Sequence, residues 1–369
     1  MSDNGGDREL MKGNHAMCLG AIRAGARAYY GYPITPQNEA TEYMSFHMPK
    51  AGGTFIQAES EVAAINMVFG AAAAGVRAMT SSSSPGISLK QEGISYIATA
   101  ELPCVVANIV RCGPGLGNIA PHQGDYFQGT RGGGHGDYRT ITLAPASVQE
   151  MAQLTYSAFD LADEYRNPAL ILSDGVIGQM MEPVDLATIP AKDPPVKDWA
   201  VGPGQDKRPR NVHTTIYLDP EEMAEFHLKL IAKYDRIRRE VNYFEEYMTD
   251  DAEILIVAYG TSSRVARTAI KRMRTANGPK VGLFRPISVW PFPARKLLEM
   301  CTNYKCILVL EMNWGQMVED VRLVVGDKVP IHFAGKHGGL LFTPAEIVAL
   351  ANNLSADPLN PGSLWSIVR

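Results

Sequence analysis

The feature that most constrains the fold of this sequence is a regular alternation of short apolar runs with helix-length segments from residue 14 to residue 174. We expect strands near 28–32, 54–58, 76–80, 104–111, 141–144 and 168–173, and helices over 14–24, 37–48, 59–75, 87–101 and 147–165. Each helix is about as long as the crossover between two parallel strands requires. The alternation therefore predicts a parallel sheet wrapped in helices.

The same pattern returns after residue 250, so a second α/β unit is expected. Its strands are predicted at ILIVAYG, KVGLFRP and CILVLEMN, and its helices over 262–276, near 292–300 and over 344–354. The segment before it is rich in Pro, Lys and Asp and then becomes a charged helical pattern over 220–246. Because a chain of 369 residues exceeds the usual size of one core, we expect a first domain at 1–185, a linker with a charged helix at 186–250 and a second domain at 251–369.

Composition and charge narrow the classes of function. Hydrophobic residues make up 46% of the chain and charged residues 20%, and the net charge is -4 with no long basic run. The polar N-terminus lacks the layout of a signal peptide, and no stretch has the roughly 18 apolar residues of a membrane span. We therefore expect a folded, cytoplasmic protein that acts on small molecules and binds neither nucleic acid nor membrane.

The cysteines argue against a metal cluster on this chain. Cys18, Cys104, Cys112, Cys301 and Cys306 are scattered, with no CxxC motif and no close pairing with His. A disulfide framework or a zinc ribbon is therefore unsupported, and a cubane iron-sulfur cluster would lack its four closely spaced thiolates. If the protein takes part in electron transfer, the clusters must lie on another polypeptide.

Four loops follow successive predicted strands, and parallel sheets bind ligands at that edge. They are GYPITP at 31–36, QAESE at 57–61, SSSSPG at 81–86 and RCGPGLGN at 111–118. Taken alone, these residues are ambiguous. GPGLGN lacks the GxGxxG spacing, the serine run is either a ligand loop or a helix cap, and Glu59 and Glu61 are ordinary acids for the first turn of a helix.

Longer strings remove much of this ambiguity. GYPITPQNEATEYMS, QAESEVAAINMVFGAAAAGVRAMTSSSSPGISLKQEGISY, ELPCVVANIVRCGPGLGN and GGGHGDYR resemble the alpha subunits of 2-oxoacid:ferredoxin oxidoreductases, most closely the 2-oxoisovalerate type. MTDDAEILIVAYGTSSR, RPISVWPFP and EMNWGQMVEDVR extend the resemblance over nearly the whole chain. It implies an α/β fold in which a doubly wound, pyrimidine-binding thiamine diphosphate domain is followed by a transketolase C-terminal-like domain.

The resemblance also implies roles for individual residues. Glu61 matches the activating glutamate, a carboxyl that bonds N1' of the aminopyrimidine and favours its imino tautomer, with Glu59 as the alternative. Thr35 is expected to bond the 2-oxoacid, although a helix cap is the alternative for this residue. Arg111 is expected to bind the substrate carboxylate through parallel donors, with a rim salt bridge as the alternative. Other residues expected at the cofactor are Pro33, Ile34 and Ser83.

The implied reaction needs partners. It is the coenzyme A-dependent oxidative decarboxylation of a 2-oxoacid to acyl-CoA and CO2, with reduction of ferredoxin. The nearest match to a metal-binding GDG is Ser173-Asp174-Gly175, with no fitting Asn after it. Thiamine diphosphate is therefore expected to be shared with a beta subunit, and Mg2+ and [4Fe-4S] clusters are expected on partner subunits, including a gamma subunit and a ferredoxin-like delta subunit.

Alternatives remain for the substrate and for the role of the chain. A branched side chain needs an apolar pocket, whereas 2-oxoglutarate needs a second cationic group, for which His122 and Arg131 are candidates. We favour 2-oxoisovalerate. A non-catalytic assembly subunit is the rival from a different class, and the presence of Glu61 argues against it. A transketolase-type transferase fits the fold but not the YPITP and TSSSSPG strings.

Overall fold

The structure is a computed structural model that describes residues 8–201, 211–359 and 366–367. Its first part alternates strands and helices as the sequence predicts. The strands are β1 (Arg8–Lys12), β2 (Ala28–Gly31), β3 (Thr54–Gln57), β4 (Ala78–Ser82), β5 (Val105–Val110), β6 (Ile141–Leu143), β7 (Ala169–Asp174) and β8 (Met181–Asp185). The helices are α1 (Gly13–Arg23), α2 (Asn38–Lys50), α3 (Glu61–Ala73), α4 (Pro85–Thr99), α5 (Tyr126–Arg131), α6 (Val148–Tyr165) and α7 (Gly175–Gln179).

The second part begins with a long helix and continues as another α/β unit. Its helices are α8 (Pro220–Glu240), α9 (Gly260–Thr275), α10 (Ala294–Met300), α11 (Met317–Val325) and α12 (Pro344–Ala356). Its strands are β9 (Phe244–Tyr247), β10 (Ile254–Val257), β11 (Val281–Pro286), β12 (Ser288–Trp290), β13 (Cys306–Glu311), β14 (Ile331–Gly335) and β15 (Ser366–Ile367). Among the described helices, none is both long and apolar enough to cross a membrane.

The first large sheet has the strand order β12-β6-β7-β5-β4-β2-β3, and all of its pairs are parallel except β12 with β6. Strand β5 shows how it is buried. Val106 and Val110 pack into one core, while Val105, Ala107 and Ile109 pack into the other. Since successive side chains of a strand point to opposite faces, both faces of this sheet are covered. The predicted doubly wound sheet is therefore confirmed.

The second sheet has the order β15-β14-β13-β10-β11-β9, with β9 antiparallel to β11. Here the predicted helix over 220–246 is wrong at its end. The Asn242 side chain donates hydrogen bonds to the carbonyls of Arg238 and Arg239, so it closes the helix at Glu240. The chain then turns into β9, whose pairing with β11 is not visible in the local pattern.

Two further pairings were not predicted. Strand β12 leaves the second unit and pairs with β6 of the first sheet, and β1 pairs with β8 at the N-terminal side. The predicted strand at 76–80 lies at 78–82, and the predicted helix starts at 37 and 59 lie at Asn38 and Glu61. The domain boundaries at 185 and 250 stay predictions.

Gln123 is a central link between the two parts. Its Nε2 donates to the carbonyl of Tyr259 at 3.0 Å, and its Oε1 accepts from Ser262 Oγ at 2.8 Å and from the Met312 amide at 2.9 Å. Its own carbonyl accepts from Asn313 Nδ2 at 2.8 Å. Every polar group of this buried side chain is satisfied, so the link holds the loop after β5 against the second sheet.

Candidate active site

The four candidate loops lie along one edge of the first sheet. Strands β3, β2, β4 and β5 are neighbours in that order and are parallel, so their carboxyl ends meet. Contacts on the loops show which of the predicted residues are close together.

Arg111 and Thr35 are in direct contact. Arg111 follows β5, and its side chain is buried. Its Nη1 donates to the Thr35 carbonyl at 3.0 Å and its Nη2 to the Leu116 carbonyl at 3.1 Å, while the buried Nε has no partner among the described residues. Arg111 makes no ion pair in the described part of the chain, so the expected alternative of a rim salt bridge is absent there. Thr35 precedes the N-cap Gln37, and its hydroxyl accepts from Asn38 Nδ2 at 3.2 Å.

The serine loop is tied to the same arginine. Ser84 Oγ donates to the Arg111 carbonyl at 3.2 Å and accepts from the Arg111 amide at 3.0 Å, and the Ser84 amide donates to Asn108 Oδ1 at 3.0 Å. Ser84 has φ 26°, a region that non-glycine residues rarely adopt. These bonds on both sides hold the strained backbone in place. Ser84 occupies the cap position of α4, but its side chain makes no capping bond to the helix.

Three hydroxyls of this loop and its strand are buried without a partner among the described residues. They belong to Thr80, Ser82 and Ser83, of which Ser83 was predicted at the cofactor. Buried hydroxyls normally make hydrogen bonds, and each unmade bond costs roughly 1–3 kcal/mol. A polar ligand that reached them would recover this cost.

Glu61 is buried at the start of α3, whereas Glu59 is exposed. The N-cap is Ser60, whose hydroxyl accepts from the Ala63 amide at 3.1 Å, so the carboxyl of Glu61 is not needed as a cap. Within the described residues this carboxyl makes no hydrogen bond. It lies against Gly86, where a Cβ atom would come within 2.7 Å of Glu61 Oε1 and 2.1 Å of Ser82 Oγ. Gly86 therefore leaves the space that the carboxyl occupies.

Sequence reasoning missed two buried polar residues behind this edge. Gln37 Oε1 accepts from Ser81 Oγ at 2.6 Å, and Ser81 in turn bonds the Tyr29 hydroxyl at 2.6 Å. Lys90 is fully buried, and its Nζ donates to the main-chain carbonyl of Glu61 at 3.3 Å. A signal for Lys90 existed, because it occupies the apolar face of α4 at helical spacing from Ile87 and Ile94.

The candidates for a second cationic group are not free. Arg131 Nη2 pairs with Asp320 Oδ1 at 2.8 Å. His122 is buried, and its pKa is lowered to about 4, mainly by burial and to a smaller extent by the nearby His337. Asp174, in the nearest match to a metal motif, instead caps α7 and accepts from Thr261 Oγ1 at 2.9 Å.

The donor set at this edge suits the pyrimidine half of thiamine diphosphate. The buried Glu61, whose carboxyl makes no hydrogen bond to a described residue, and hydroxyls that lack a partner among those residues match a ring that carries both nitrogen acceptors and an amino group. No group of three His, Cys, Asp or Glu side chains in the described part of the chain is arranged to hold a metal ion.

Comparison with known proteins identifies the family of the chain. Residues 17–249 match the family model "Pyruvate flavodoxin/ferredoxin oxidoreductase, thiamine diP-bdg", and residues 252–347 match "Pyruvate:ferredoxin oxidoreductase core domain II". The chain belongs to the 2-oxoacid:ferredoxin oxidoreductase family. The predicted family, the α/β fold class and the oxidoreductase class are thereby confirmed.

Relatives in this family are named as subunits. The chain is 49% identical to ketoisovalerate oxidoreductase subunit VorB of Methanothermobacter thermautotrophicus, over 95% of this chain and 98% of the relative. It is 38% identical to 2-oxoglutarate synthase subunit KorA of Methanocaldococcus jannaschii, over 92% and 98%. Such names belong to parts of multi-subunit enzymes, so this chain is one subunit of a complex.

Two solved structures have a similar fold. The 2-oxoglutarate:ferredoxin oxidoreductase from Magnetococcus marinus matches with a TM-score of 0.83 and 29% identity, over 93% of this chain and 64% of that longer chain. A split gene transketolase matches with a TM-score of 0.52 and 12% identity, over 91% and 94%. The latter likeness concerns the fold alone, so it gives no support to the transketolase-type alternative.

Proposed function

We propose that this chain supplies the glutamate half of a thiamine diphosphate site, with Glu61 at the cofactor and Thr35 and Arg111 at the substrate. The substrate we propose is 2-oxoisovalerate, which is converted with coenzyme A to an acyl-CoA and CO2 while ferredoxin is reduced. The observation that carries the proposal is the buried, unbonded carboxyl of Glu61 at the edge where Arg111 contacts Thr35.

Arg111 suits the carboxylate of a 2-oxoacid. A guanidinium has five N–H donors, and the two carbonyl bonds leave three, including the buried Nε. A carboxylate can accept two parallel bonds from such a group. The carbonyls of Thr35 and Leu116 orient the guanidinium, so little side-chain freedom is lost when the substrate binds. Thr35, whose carbonyl accepts from the guanidinium, also has a hydroxyl that we propose to bond the substrate.

Glu61 acts on the cofactor through a proton. Thiamine diphosphate supplies the carbon nucleophile for decarboxylation, and the protein orients it and sets the protonation of its pyrimidine ring. The Glu61 carboxyl would share a proton with N1' of that ring. Pro33, Ile34 and the Ser83 hydroxyl are proposed to border the ring on the adjoining loops.

Two observations favour a branched substrate over 2-oxoglutarate. Relatives named for ketoisovalerate are 49% and 48% identical, whereas those named for 2-oxoglutarate synthase are at most 38% identical among the relatives compared. In addition, the charge of Arg131 is matched by Asp320, and His122 is neutral near pH 7 because its pKa is about 4. Neither residue offers a free positive charge to a second carboxylate.

We further propose that partner subunits carry the remaining machinery. Asp174 is already bonded to its own helix and to Thr261, so a beta subunit is proposed to bind the diphosphate and Mg2+. The described cysteines are free and buried in separate places, so [4Fe-4S] clusters are assigned to partner subunits. Gamma and ferredoxin-like delta subunits, ferredoxin and coenzyme A complete the proposed assembly.

The test is anaerobic purification of the chain with its partners and an assay of coenzyme A-dependent viologen reduction. We expect a higher kcat/KM with 2-oxoisovalerate than with 2-oxoglutarate. Glu61→Gln should lower kcat by at least about 100-fold, as expected for loss of a group that moves a proton. Glu59→Gln is the matched control, because it makes the same change two residues away on an exposed side chain, and it should retain activity.

Three results would contradict the proposal. A complete, cluster-loaded complex without 2-oxoacid activity would favour the non-catalytic assembly role. A preference for 2-oxoglutarate would overturn the substrate assignment alone. Equal losses in Glu59→Gln and Glu61→Gln would overturn the assignment of the catalytic carboxyl.

A further inference from the structure

Lys90 is a buried cation that has no ion-pair partner within the described part of the chain. Its side chain is fully buried, and its Nζ donates one hydrogen bond, to the main-chain carbonyl of Glu61 at 3.3 Å. Among the residues that the structure describes, no carboxylate oxygen lies within 4.0 Å of this nitrogen. Lysines are almost never fully buried unless they are paired, so the position needs an explanation.

Packing does not explain it. Burial lowers the pKa of Lys90 to about 8, and the charge of Glu61 acts in the opposite direction. An apolar side chain of similar length would fill the same space without this cost. The contact between α3 and α4 is also tight without Lys90, because a Cβ on Gly93 would lie 2.5 Å from Ile65 Cγ2. The charge is therefore retained at a cost to stability.

The position of the charge points to Glu61. The ammonium bonds the main chain of the residue whose carboxyl lies beside Gly86 and Ser82. The attraction between the Lys90 ammonium and the Glu61 carboxylate is felt by both partners, and it acts in a buried place where water screens charges weakly. Lys90 thus places a positive charge at the first turn of α3, where Glu61 begins the helix.

We propose that Lys90 is a positioning residue for Glu61: its positive charge, held at the first turn of α3, assists transfer of the proton that the Glu61 carboxyl would share with the pyrimidine N1'. In that transfer the proton would leave an oxygen of the Glu61 carboxyl and the ring nitrogen would accept it, so the Lys90 ammonium would then face a carboxylate. This inference rests on the proposed function. It adds a residue that touches neither substrate nor cofactor.

Two substitutions in the full complex separate the effect of the Lys90 charge from the effect of its hydrogen bond to the Glu61 carbonyl. Lys90→Met removes the charge and the donor, whereas Lys90→Gln removes the charge and keeps an N–H donor for the Glu61 carbonyl. Both should lower kcat about 10-fold or more, leave KM for the 2-oxoacid unchanged and weaken the near-ultraviolet circular dichroism band of the imino tautomer in the thiamine diphosphate-loaded complex. The melting temperature of Lys90→Met should stay the same or rise.

Lys233→Met is the matched control. Lys233 is a largely enclosed lysine of α8, and its Nζ pairs with Glu101 Oε1 at 3.1 Å, away from the candidate site. Its substitution leaves the Glu101 carboxylate with the more exposed Lys229 as its remaining ion-pair partner among the described residues. We therefore expect a lower melting temperature with an unchanged kcat, the reverse of the expectation for Lys90→Met.

The outcomes separate this inference from the proposed function. If Glu61→Gln abolishes turnover but both Lys90 variants keep the wild-type kcat and circular dichroism, the inference fails alone. If Lys90→Met lowers both the melting temperature and kcat, and Lys90→Gln has wild-type values of both, Lys90 acts only through its hydrogen bond to the Glu61 carbonyl and the inference is also wrong. If Lys90→Met does not assemble, Lys90→Gln decides by the same readouts. A wild-type complex without 2-oxoacid activity would remove the proposed function and this inference with it.

Discussion

The link formed by Gln123 between the two sheets allows a quantitative prediction for Gln123→Met. The substitution keeps the length of the side chain and removes three hydrogen bonds. The groups left without their partner are the Tyr259 carbonyl, the Ser262 hydroxyl and the Met312 amide. Each buried group left unpaired costs roughly 1–3 kcal/mol. We therefore expect local opening at this contact to become easier by at least about 3 kcal/mol.

Hydrogen exchange followed by mass spectrometry measures this opening in the assembled enzyme. A change of about 3 kcal/mol corresponds to roughly 100-fold faster exchange, since 1.36 kcal/mol is a factor of ten. The increase should appear in peptides that cover 259–263 and 312–318. Gln128→Met is the control, because the Gln128 side chain donates one exposed bond, to Ser88 Oγ at 2.9 Å. A change of less than about 3-fold in the Gln123 variant would refute the reasoning.

Two further predictions concern the candidate site. Lys90→Met should gain about 3 kcal/mol of stability at pH 7, less about 1 kcal/mol for the lost bond, because the folded-state pKa of about 8 lies below the ordinary 10.5. Burial disfavours the charged form of Lys90, so the gain in stability is complete below pH 8 and shrinks as the pH rises toward 10.5. Denaturant unfolding of the variant and the wild type at pH 7 and pH 10 measures this gain. A gain that grows with pH would contradict the prediction. Gly86→Ala should lower kcat at least about 10-fold, because the new Cβ displaces Ser82 Oγ and Glu61 Oε1. The control is Gly70→Ala, at an open helical position, which should keep kcat and stabilise the helix by up to about 1 kcal/mol. Equal kcat of the two variants in steady-state assays would show that activity does not need the space beside Gly86.

Local patterns were sufficient where the structure depends on short-range periodicity. The strands β2 to β7 and the helices α1 to α4 and α6 were predicted to within a few residues, because a buried strand followed by an amphipathic helix has the same signature wherever it occurs. The short helix α5 was not predicted. The placement of the four loops on one edge also followed, since parallel strands all end on the same side. Glu61, Thr35 and Arg111 were singled out through resemblance of their motifs, and their catalytic roles stay predictions.

Long-range partners could not be predicted in this way. Strands β9 and β12 are short, and each exists because a distant edge accepts it: β11 for one and β6 for the other. The end of α8 shows the same limit, because amphipathic spacing continues past the residue at which Asn242 closes the helix. A pattern of a few residues contains no information about which edge is free.

The sequence by itself determined the alternation of strands and helices that builds the first sheet from β2 to β7, the family and the edge at which chemistry is expected. The tertiary structure decided which polar groups are buried there and which have partners. It separated buried Glu61 from exposed Glu59, joined Arg111 to Thr35 and placed Lys90 beneath the start of α3. The physical reason is that burial and hydrogen bonding depend on atoms brought from distant parts of the chain, whereas periodicity reports only the neighbours along it.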